Sequence, residues 1–225
     1  MSTLLYVAQA DSIHTARSAS IFVDRGWDFQ SGGYLTLAAK QQMSTFPVWV
    51  AANLGSDIYH FQQYPDHRER IKRVLAACDY YACECHRDVL LANNLGLKGD
   101  SLPVTPIAGG LRFDTLPATV PPSQRRCIAV SVTDGISTSM LEAMAMGAFP
   151  IQSNTACADE WFTDGVGGFL VDPNDVDTIA ARLSHALCDD NLVDTAARVN
   201  RTTLHKIDYD RVANDLYETF QSILR

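Results

Sequence analysis

Short apolar runs alternate with amphipathic segments along this chain, and the alternation limits the possible folds more than any other feature. Runs such as LLYVAQ, FPVWVAA and YYACEC have the length and composition of buried strands. Segments such as HRDVLLANNLG, which ends at Gly96, have the pattern and the terminating residue of helices. Strands that alternate with helices are typical of parallel sheets covered by helices. The sequence therefore predicts an α/β fold.

The pattern predicts about four strands in the first half of the chain and three in the second. First-half strands are predicted at 4–9, 46–52, 80–85 and 101–107, with helices at 13–26, 33–43, 67–78 and 86–96. Second-half strands are predicted at 127–132, 149–152 and 167–173, with helices within 134–147 and at 159–162, 175–188, 190–205 and 208–223. One strand is missing from the expected order, because RGWDFQ runs into SGGYLTL with room for four strand residues at most.

The chain is predicted to consist of two abbreviated halves joined by a linker. Residues 114–126 contain three prolines among polar neighbours, which is typical of a linker. We therefore expect a first domain over 1–113 and a second domain over 127–206. The remaining segment, 207–225, is predicted to be a C-terminal helix that is able to pack back on the first domain.

Charge and hydropathy exclude several classes of partner. The net charge of −8 over 225 residues argues against a nucleic-acid partner, since phosphate backbones are bound through basic surfaces. The opening apolar run, Leu4 to Ala8, is too short for a signal peptide or a membrane span, and no later run approaches the necessary length. Six scattered cysteines are not typical of a disulfide scaffold. We expect a cytoplasmic protein without a membrane span, and the oligomeric state stays open.

The segment CECH, residues 83–86, has the residue types of a metal site. Its C-x-C spacing has no second ligand cluster to complete it, and it lies in an apolar run that predicts a strand. Buried core thiols account for Cys83 and Cys85 as well, because Cys without a disulfide is among the most often buried residues. We therefore expect no metal and no cofactor.

The segment DGISTSMLEAMAMG, residues 134–147, permits two interpretations. Ser139 and Glu142 have the spacing of a capping box, in which each side chain bonds a backbone N–H group at the start of a helix. Alternatively, a loop of small residues that leads from a strand into a helix is suited to bind phosphate on the helix N–H groups. Asp134 and Glu142 would then flank the anion and bind hydroxyl groups of a sugar and of a ribose.

The region around this segment resembles the donor-site signature of a known family. SVTDGISTSMLEAMAMGAFPIQS, followed by EWFTDGVGGFLVDPND, is similar over residues 131–175 to the retaining glycosyltransferases of the GT-B fold, family 4. The family has two glutamates separated by seven residues, which correspond here to Asp134, one methylene shorter, and to Glu142. The resemblance implies two abbreviated Rossmann-like halves of the GT-B type, with parallel sheets flanked by helices.

The resemblance also implies that a nucleotide-sugar donor binds at this loop and helix. Asp134 would lie near hydroxyls of the transferred sugar, and Glu142 would accept hydrogen bonds from the ribose. Asp134 and His14 are the candidate catalytic residues. The implied donor-binding residues are Asp134, Gly135, Ile136, Ser137, Thr138, Ser139 and Glu142.

The first half resembles the acceptor-side domain of the same family. CDYYACECHRDVLLANNLGLKGDSLPV is similar to the strand, helix and strand that close that domain, VAQADSIHTAR to its first strand and loop, and GSDIY to a loop that faces the cleft. The implied acceptor-side residues are Asp11, His14, Ser56 and Asp57. Asp57 is also explained as a helix cap, and His14 as a residue on a helix surface.

The sequence departs from the family in the region ahead of the paired acids. There the family places an Arg and a Lys against the donor diphosphate, and a segment that holds the nucleotide base. Here Arg125 and Arg126 precede the predicted strand instead of following it. A helix N-terminus stabilises a nearby anion by about 0.3–2 kcal/mol, whereas one lost stabiliser of transition-state charge costs about 2.7–4 kcal/mol.

Three functional hypotheses follow. The first is a glycosyltransferase that moves a hexose from a nucleotide sugar to a hydroxyl acceptor with retention. The second is a shortened, catalytically impaired or non-catalytic protein that keeps the architecture. The third is a sugar-nucleotide epimerase, which shares the two-domain fold but requires a catalytic acid or base at the sugar, where the motif offers no histidine.

Overall fold

The computed structural model describes residues 4–7, 21–24, 29–30, 32–106, 109–117, 120–135 and 137–224. Within them lie two parallel sheets, one of five strands and one of three, both flanked by helices. This confirms the predicted α/β class with two abbreviated Rossmann-like halves. The chain divides into a first unit, Met1–Ile107 with Asp215–Arg225, and a second unit, Ala108–Asn214. The segment 114–126, interpreted above as a linker, lies within the second unit.

The first unit contains the five-stranded sheet, whose strands follow one another in chain order. Its elements are β1 (Leu4–Val7), β2 (Ile21–Asp24), α1 (Gly32–Gln42), β3 (Val48–Ala52), α2 (Ser56–Tyr59), a 3₁₀ turn (Phe61–Gln63), α3 (Pro65–Leu75), β4 (Tyr80–Ala82), α4 (His86–Asn94) and β5 (Asp100–Ser101). All neighbouring strands pair in parallel.

One face of this sheet is covered by the helices that connect its strands. Right-handed crossovers between parallel strands in sequential order place every connecting helix on the same side. On that side Trp49, Ala51 and Tyr81 form a core with buried residues of α1, α3 and α4. Tyr81 and Trp49 are among the largest fully buried side chains of the described chain.

The opposite face is covered by the end of the last helix, α8 (Tyr209–Ile223). Val50 is fully buried there, and Phe220, Ile223 and Leu224 pack against it. Val48, Tyr80, Ala82 and Leu102 complete this cluster. At β3 and β4 both faces of the sheet are therefore covered, as parallel sheets require.

The second unit contains the three-stranded sheet, in the order β6-β7-β8. Its elements are β6 (Arg126–Ala129), α5 (Thr138–Ala145), β7 (Phe149–Ser153), β8 (Phe169–Val171), α6 (Val176–Cys188) and α7 (Asp190–Leu204), with 3₁₀ turns at Phe113–Thr115, Pro122–Gln124, Asn154–Ala156, Ala158–Glu160 and His205–Ile207. Phe149 and Phe169 form an edge-to-face pair with ring centroids 4.9 Å apart, and residues of α6 and α7 pack around them.

The helix predicted over residues 13–26 is wrong at its second half, where the structure has strand β2. Ile21, Phe22 and Val23 are β-branched or aromatic residues, which favour a strand over a helix. This strand is the one that appeared to be missing from the spacing, so the first sheet has five strands instead of four. Residues 13–20 and 25–26 lie outside the described residues.

Several predicted strands are shorter in the structure. The strand predicted at 101–107 is reduced to Asp100–Ser101, although Leu102 N still donates to Tyr81 O at 2.8 Å beyond it. The strand predicted at 80–85 ends at Ala82, and the one predicted at 127–132 ends at Ala129. The short helix predicted at 159–162 is a 3₁₀ turn at Ala158–Glu160.

Among the described residues there is no disulfide and no helix that could cross a membrane. All six cysteines lie within the described residues and none forms a disulfide. Cys83 and Cys85 are buried, as expected of core thiols. No helix among the described residues has the length and apolar composition needed to cross a bilayer, the two longest having 15 residues.

Substitution of Phe220 tests whether α8 is required to cover the first sheet. Phe220→Ala should lower the free energy of unfolding by about 1–3 kcal/mol, because it removes a partly buried ring from the cluster around Val50. Tyr217→Ala, on the same helix but 66% exposed, should change it by less than about 0.5 kcal/mol. Urea unfolding followed by circular dichroism measures both values, and equal losses would contradict the covering role.

Candidate functional site

Helix α5 begins at the carboxyl end of β6, after a loop that runs from residue 130 to Ser137. Met140, Leu141 and Met144 are buried, so they hold one side of the helix against the unit. Thr138 and Glu142, on the other side, are exposed. Ligands of parallel α/β sheets bind outside the carboxyl ends of the strands, and α5 is therefore positioned as a ligand-binding helix.

The capping-box interpretation of Ser139 and Glu142 is wrong. The N-cap of α5 is Ser137, which has an extended backbone and whose side chain makes no capping hydrogen bond; its hydroxyl lies 3.4 Å from the Ser139 hydroxyl. The backbone carbonyl of Ser137 accepts the first helical hydrogen bond, from Leu141 N at 3.0 Å. Ser139 is therefore already the second residue of the helix, two positions past the N-cap, so its hydroxyl does not cap the helix start.

The N-terminal turn of α5 has the geometry of an anion site flanked by a carboxylate. The first N–H groups of a helix have no intrahelical acceptor, and the helix dipole gives them a positive potential. Glu142 lies one turn beyond Thr138 on the same face, which corresponds to about 5–6 Å between Cβ atoms. Its exposed carboxylate has no hydrogen-bond partner within the part of the chain that the structure describes.

Asp134 lies at the start of the loop that leads into α5. It is half-buried, and its Oδ1 accepts a hydrogen bond from Gly135 N at 2.9 Å, which fixes the turn. The structure thus brings six of the seven predicted donor-binding residues into one continuous loop and helix start. The seventh, Ile136, lies outside the described residues.

Hydrogen bonds tie the loop after β6 to the end of β7. The carbonyl oxygen of Ser131 accepts from Ser153 Oγ at 2.6 Å and from Thr155 Oγ1 at 2.5 Å. The two hydroxyls also lie 3.0 Å from each other. The loop that precedes Asp134 is therefore held in place by side chains from the neighbouring strand end.

Three polar side chains near these strand ends are buried without a partner among the described residues. They are the hydroxyls of Ser131 and Thr133 and both amide atoms of Gln152, whose side chain is 1% exposed. A buried polar group without a hydrogen bond costs about 1–3 kcal/mol. Such groups are what a ligand hydroxyl or an ordered water would satisfy. Sequence reasoning missed them, since polar residues at strand ends are too common to be a signal.

The second block of the signature, TDGVGG at 163–168, forms the turn that precedes β8. Gly165 has a φ of 76°, a conformation that L side chains rarely adopt. A Cβ on Gly168 would lie 2.5 Å from Pro150 Cγ, so the turn can approach β7 only through glycine. Asp164 Oδ1 accepts from Leu170 N at 3.0 Å. These motif residues shape the fold of the unit.

Arg125 and Arg126 have structural roles at the beginning of β6, the opposite end of the strand from α5. Arg125 is buried, donates to Gly147 O at 2.7 Å and pairs with Asp194 of α7. Arg126 donates to Ala186 O and pairs with Asp190 at 2.8 Å. Both guanidinium groups therefore hold α6 and α7 on the sheet, and neither lies beside the N-terminus of α5.

Of the predicted acceptor-side residues, the structure describes Ser56 and Asp57. Both lie in α2, at the carboxyl end of β3, where Ser56 is half-buried and Asp57 is 3% exposed. Asp57 Oδ2 accepts from Leu54 N at 2.9 Å, and its carbonyl accepts from Gln30 Nε2 at 2.7 Å. Asp57 thus closes the loop between β3 and α2. Asp11 and His14 lie outside the described residues.

A buried polar network around Asn53 holds the loop between β3 and α2 in place. Asn53 is fully buried, donates to Asp88 Oδ2 at 2.8 Å and accepts from Ile58 N at 3.2 Å. Asp88 also pairs with Arg87, whose guanidinium stacks over the Tyr59 ring at 3.9 Å. The network fixes the loop after β3 relative to α4.

Tyr81 lies beneath the same network, and its hydroxyl is 3.5 Å from the carbonyl of Asp88. Burial raises the pKa of the Tyr81 phenol well above its ordinary value, and the neighbouring Cys83, Asp88, Cys85 and Asp57 raise it further. The phenol therefore stays neutral and is a hydrogen-bond donor at physiological pH.

The segment HFQQYPDH, residues 60–67, forms a cluster of aromatic and histidine side chains at the same end of the first sheet. His60, Phe61, Tyr64 and His67 have ring centroids 5.0–6.3 Å from their neighbours in the cluster. Sequence reasoning missed this cluster. Its signal was present, because aromatic and His residues recur through eight residues at the start of a basic helix.

Part of the sequence matches a known family. Residues 119–189 match the family model described as "Glycosyl transferases group 1". This match covers the loop before α5, the whole of α5 and the turn before β8. No curated protein sequence matches the chain.

Solved structures of the same fold cover nearly the whole chain. Sucrose-phosphate synthase from Thermosynechococcus elongatus aligns with a TM-score of 0.76 at 12% identity, over 94% of this chain and 75% of its own. Anabaena HepE in complex with UDP-glucose aligns with a TM-score of 0.65 at 10% identity, over 93% and 80%. The pneumococcal O-GlcNAc transferase GtfA in complex with UDP and GlcNAc aligns at 0.59 and 11% identity, over 91% and 57%. At these identities the likeness shows a shared fold, of the GT-B type.

Stability measurements distinguish a capping role of Glu142 from a ligand role. Ser139→Ala and Glu142→Ala should each change the free energy of unfolding by less than about 0.5 kcal/mol, because both side chains are exposed and neither caps α5. Loss of a capping box would cost about 0.5–2 kcal/mol. Chemical unfolding measures the difference, and a loss within that range would restore the capping interpretation.

Asp175→Ala is the positive control for the loss of a helix cap, because Asp175 is a true N-cap. Asp175 caps α6 by accepting from Thr178 N at 3.0 Å and Thr178 Oγ1 at 2.7 Å. The hydrogen bond from the Thr178 side chain, and then the one from its backbone N–H, hold the pKa of Asp175 below its ordinary value. The cap therefore stabilises the folded protein at neutral pH and is lost as the pH falls through the lowered pKa. Asp175→Ala should lower the melting temperature at pH 7, and the difference from the unsubstituted protein should shrink in acid.

Proposed function

We propose that this protein is a glycosyltransferase that moves a hexose from a nucleotide sugar to a hydroxyl acceptor with retention of configuration. The observation that carries the proposal is the arrangement at α5. A helix N-terminus lies at the carboxyl end of a parallel sheet, with Asp134 before it and an exposed Glu142 one turn into it. The match of residues 119–189 to the glycosyl transferases group 1 model supports the same activity.

In this proposal the donor spans the loop and the first turn of α5. The diphosphate binds the backbone N–H groups of Thr138 and Ser139, where the helix dipole stabilises negative charge. Glu142 accepts hydrogen bonds from the two ribose hydroxyls, and Asp134 accepts from hydroxyls of the transferred sugar. Gly135, Ile136 and Ser137 contribute backbone contacts to the sugar ring. The unpartnered hydroxyls of Ser131 and Thr133 are further candidates to bind the donor or its waters.

The proposed reaction is a front-side displacement at the anomeric carbon. The bond from that carbon to the diphosphate oxygen breaks as the acceptor oxygen attacks from the same face, through an oxocarbenium-like state. The acceptor proton passes to the leaving diphosphate oxygen, so that charge and atoms balance. We assign no metal to the reaction, since loop 130–137 and α5 contain no carboxylates besides Asp134 and Glu142.

On the acceptor side, Asp11 and His14 stay predictions from the resemblance, His14 as the second catalytic candidate. Ser56 is half-buried at the carboxyl end of β3 and could donate to an acceptor hydroxyl. Asp57 is proposed to act through the loop that it closes, because its carboxylate is buried and bonded to Leu54 N. A cytoplasmic location stays part of the proposal.

A second candidate function is donor binding with little or no turnover. Arg125 and Arg126 donate to backbone carbonyls at the other end of β6, so neither neutralises the leaving diphosphate. This favours the second candidate. Loss of one such stabilising group reduces a rate by about 10²–10³-fold. The two candidates share one donor site and differ in rate.

Donor binding is tested by isothermal titration with UDP-, GDP- and ADP-sugars. UDP-sugars are the first choice, because HepE and GtfA were solved with UDP-glucose and with UDP. Glu142→Ala should weaken binding more than tenfold, which corresponds to about 1.4 kcal/mol or more. Glu218→Ala, an exposed acid on α8, is the control and should leave the affinity unchanged. Equal affinities of Glu142→Ala and the unsubstituted protein would overturn the donor site.

Turnover is measured separately, by the release of nucleoside diphosphate with and without acceptor. A rate above background that Asp134→Asn abolishes would establish the transferase. Tight binding of a nucleotide sugar without any release of nucleoside diphosphate, over a panel of hydroxyl acceptors, would favour the non-catalytic candidate.

A further inference from the structure

A cavity of about 650 Å³ lies at the carboxyl end of the first sheet and has no assigned role. It is formed by the start of α3 and the segment before it, and we refer to it as the aromatic groove. Its lining residues are His60, Phe61, Tyr64, Pro65, Asp66, His67 and Arg70. Because α3 follows β3, its first turns lie at the edge where ligands of parallel sheets bind.

Four of the residues that line the aromatic groove carry rings in mutual contact: His60, Phe61, Tyr64 and His67. Phe61 lies between His60 and His67, at centroid distances of 5.3 and 5.0 Å. Tyr64 is 46% exposed, with its hydroxyl 3.4 Å from His60 Nε2. A solvent-exposed ring face carries the negative part of the aromatic quadrupole, which attracts the C–H groups of a sugar ring. The groove therefore offers a stacking surface with polar groups at its rim.

His67 is oriented by Tyr34 of α1. The Tyr34 hydroxyl lies 3.1 Å from His67 Nδ1 and 3.3 Å from the His67 carbonyl oxygen. A phenol has one proton, so when it donates to the carbonyl, Nδ1–H must donate to the phenol oxygen. This fixes the ring and leaves Nε2 to accept a hydrogen bond from a ligand, or to donate one when the imidazole is protonated.

The charge of α3 indicates which ligand the aromatic groove suits. This helix has four basic residues, Arg68, Arg70, Lys72 and Arg73, and two acids, in a chain whose net charge is −8. Lys72 is paired with Glu69 at 2.7 Å. Arg70 is exposed, lines the groove and has its guanidinium 5.5 Å from the centroid of the Tyr34 ring. The fork of an Arg is suited to bidentate binding of carboxylate or phosphate.

We propose that the aromatic groove binds a carbohydrate acceptor that carries an anionic group, either a carboxylate or a phosphate. This rests on the proposed function, because it names the acceptor class of the same enzyme. Tyr64 stacks on a pyranose face, Arg70 binds the anion, and His67 Nε2 accepts a hydrogen bond from a sugar hydroxyl. Asp66, at the first turn of α3 where the helix dipole stabilises its charge, accepts hydrogen bonds from sugar hydroxyls.

The test measures binding of defined sugars to the full chain, by titration in the absence of donor. The probes are trigalacturonate with neutral galactotriose as its counterpart, and glucose 6-phosphate with glucose as its counterpart. We expect millimolar or tighter binding of at least one anionic sugar, and binding of its neutral counterpart at least tenfold weaker. The stronger of the two anionic probes identifies carboxylate or phosphate as the ligand group.

Two pairs of variants separate the role of the ring from that of the charge. Arg70→Ala should weaken binding of the anionic sugar about 10–100-fold, the range for a lost charge-assisted hydrogen bond. Arg68→Ala removes the same charge two positions away on the same helix, outside the lining of the groove, and should leave binding unchanged. Tyr64→Ala should weaken binding of all the sugars, whereas Tyr64→Phe should retain it because the ring remains.

Several outcomes would overturn the proposal. These are equal binding of anionic and neutral sugars, equal losses in Arg70→Ala and Arg68→Ala, or no binding of either anionic sugar at millimolar concentration. Binding to vesicles of anionic phospholipid, with neither sugar bound, would also overturn it and assign α3 to a membrane surface. If an anionic sugar binds and no nucleotide sugar does, the proposal for the aromatic groove stands and the proposed transferase activity is refuted. The reverse result would refute the aromatic groove alone.

Discussion

The first unit depends on burial of both faces of one parallel sheet. At β3 and β4, one side of the sheet packs against α1, α3 and α4 through Trp49, Ala51 and Tyr81. Without further cover, the side that presents Val50 would face water, and backbone and side chains of a parallel sheet are not suited to such exposure. The end of α8 supplies that cover through Phe220, Ile223 and Leu224. The loop after β3, with Asp57 and the aromatic groove, rests on a sheet that is complete only with this helix.

The two sides of the proposed reaction use different physical means to hold a ligand. At α5 the protein offers backbone N–H groups and carboxylates, which suit phosphate and hydroxyl groups. In the first unit it offers exposed rings and Arg70, which suit a sugar ring and an anion. In both places the supporting side chains are tightly fixed, by buried Met140 and Leu141 under α5 and by the Asn53–Asp88 bond under the loop after β3. Exposed binding groups on a fixed base are well suited to recognition without large rearrangement.

The sequence was sufficient to predict elements whose pattern is long and regular. The α/β class and the helices α3, α4, α6 and α7 follow from apolar periodicity, and the loop and helix at 134–145 follow from a specific motif. Strand β2 was missed because Ile21–Asp24 continues a longer segment with helical spacing; its strand propensity agrees with its pairing to β1 and β3. Of the two interpretations of this segment, the capping box fails because a cap depends on where the helix begins, and α5 begins at Thr138 with Ser137 as its N-cap. The aromatic groove was missed although aromatic and His residues recur through residues 60–67; only the contact between His67 and Tyr34, 33 positions away, depends on the fold.

The placement of residues 215–225 in the first unit has a consequence for biosynthesis. The sheet strand β3 ends at Ala52, yet its second face is covered by residues near 224. At a synthesis rate of about 5–20 residues per second, roughly 10–30 s separate the emergence of these two segments. During that interval the entire second unit is made and free to fold, while the first unit keeps an apolar surface open to chaperones or to misassociation. The first unit thus receives its full cover only after the second unit has been synthesised.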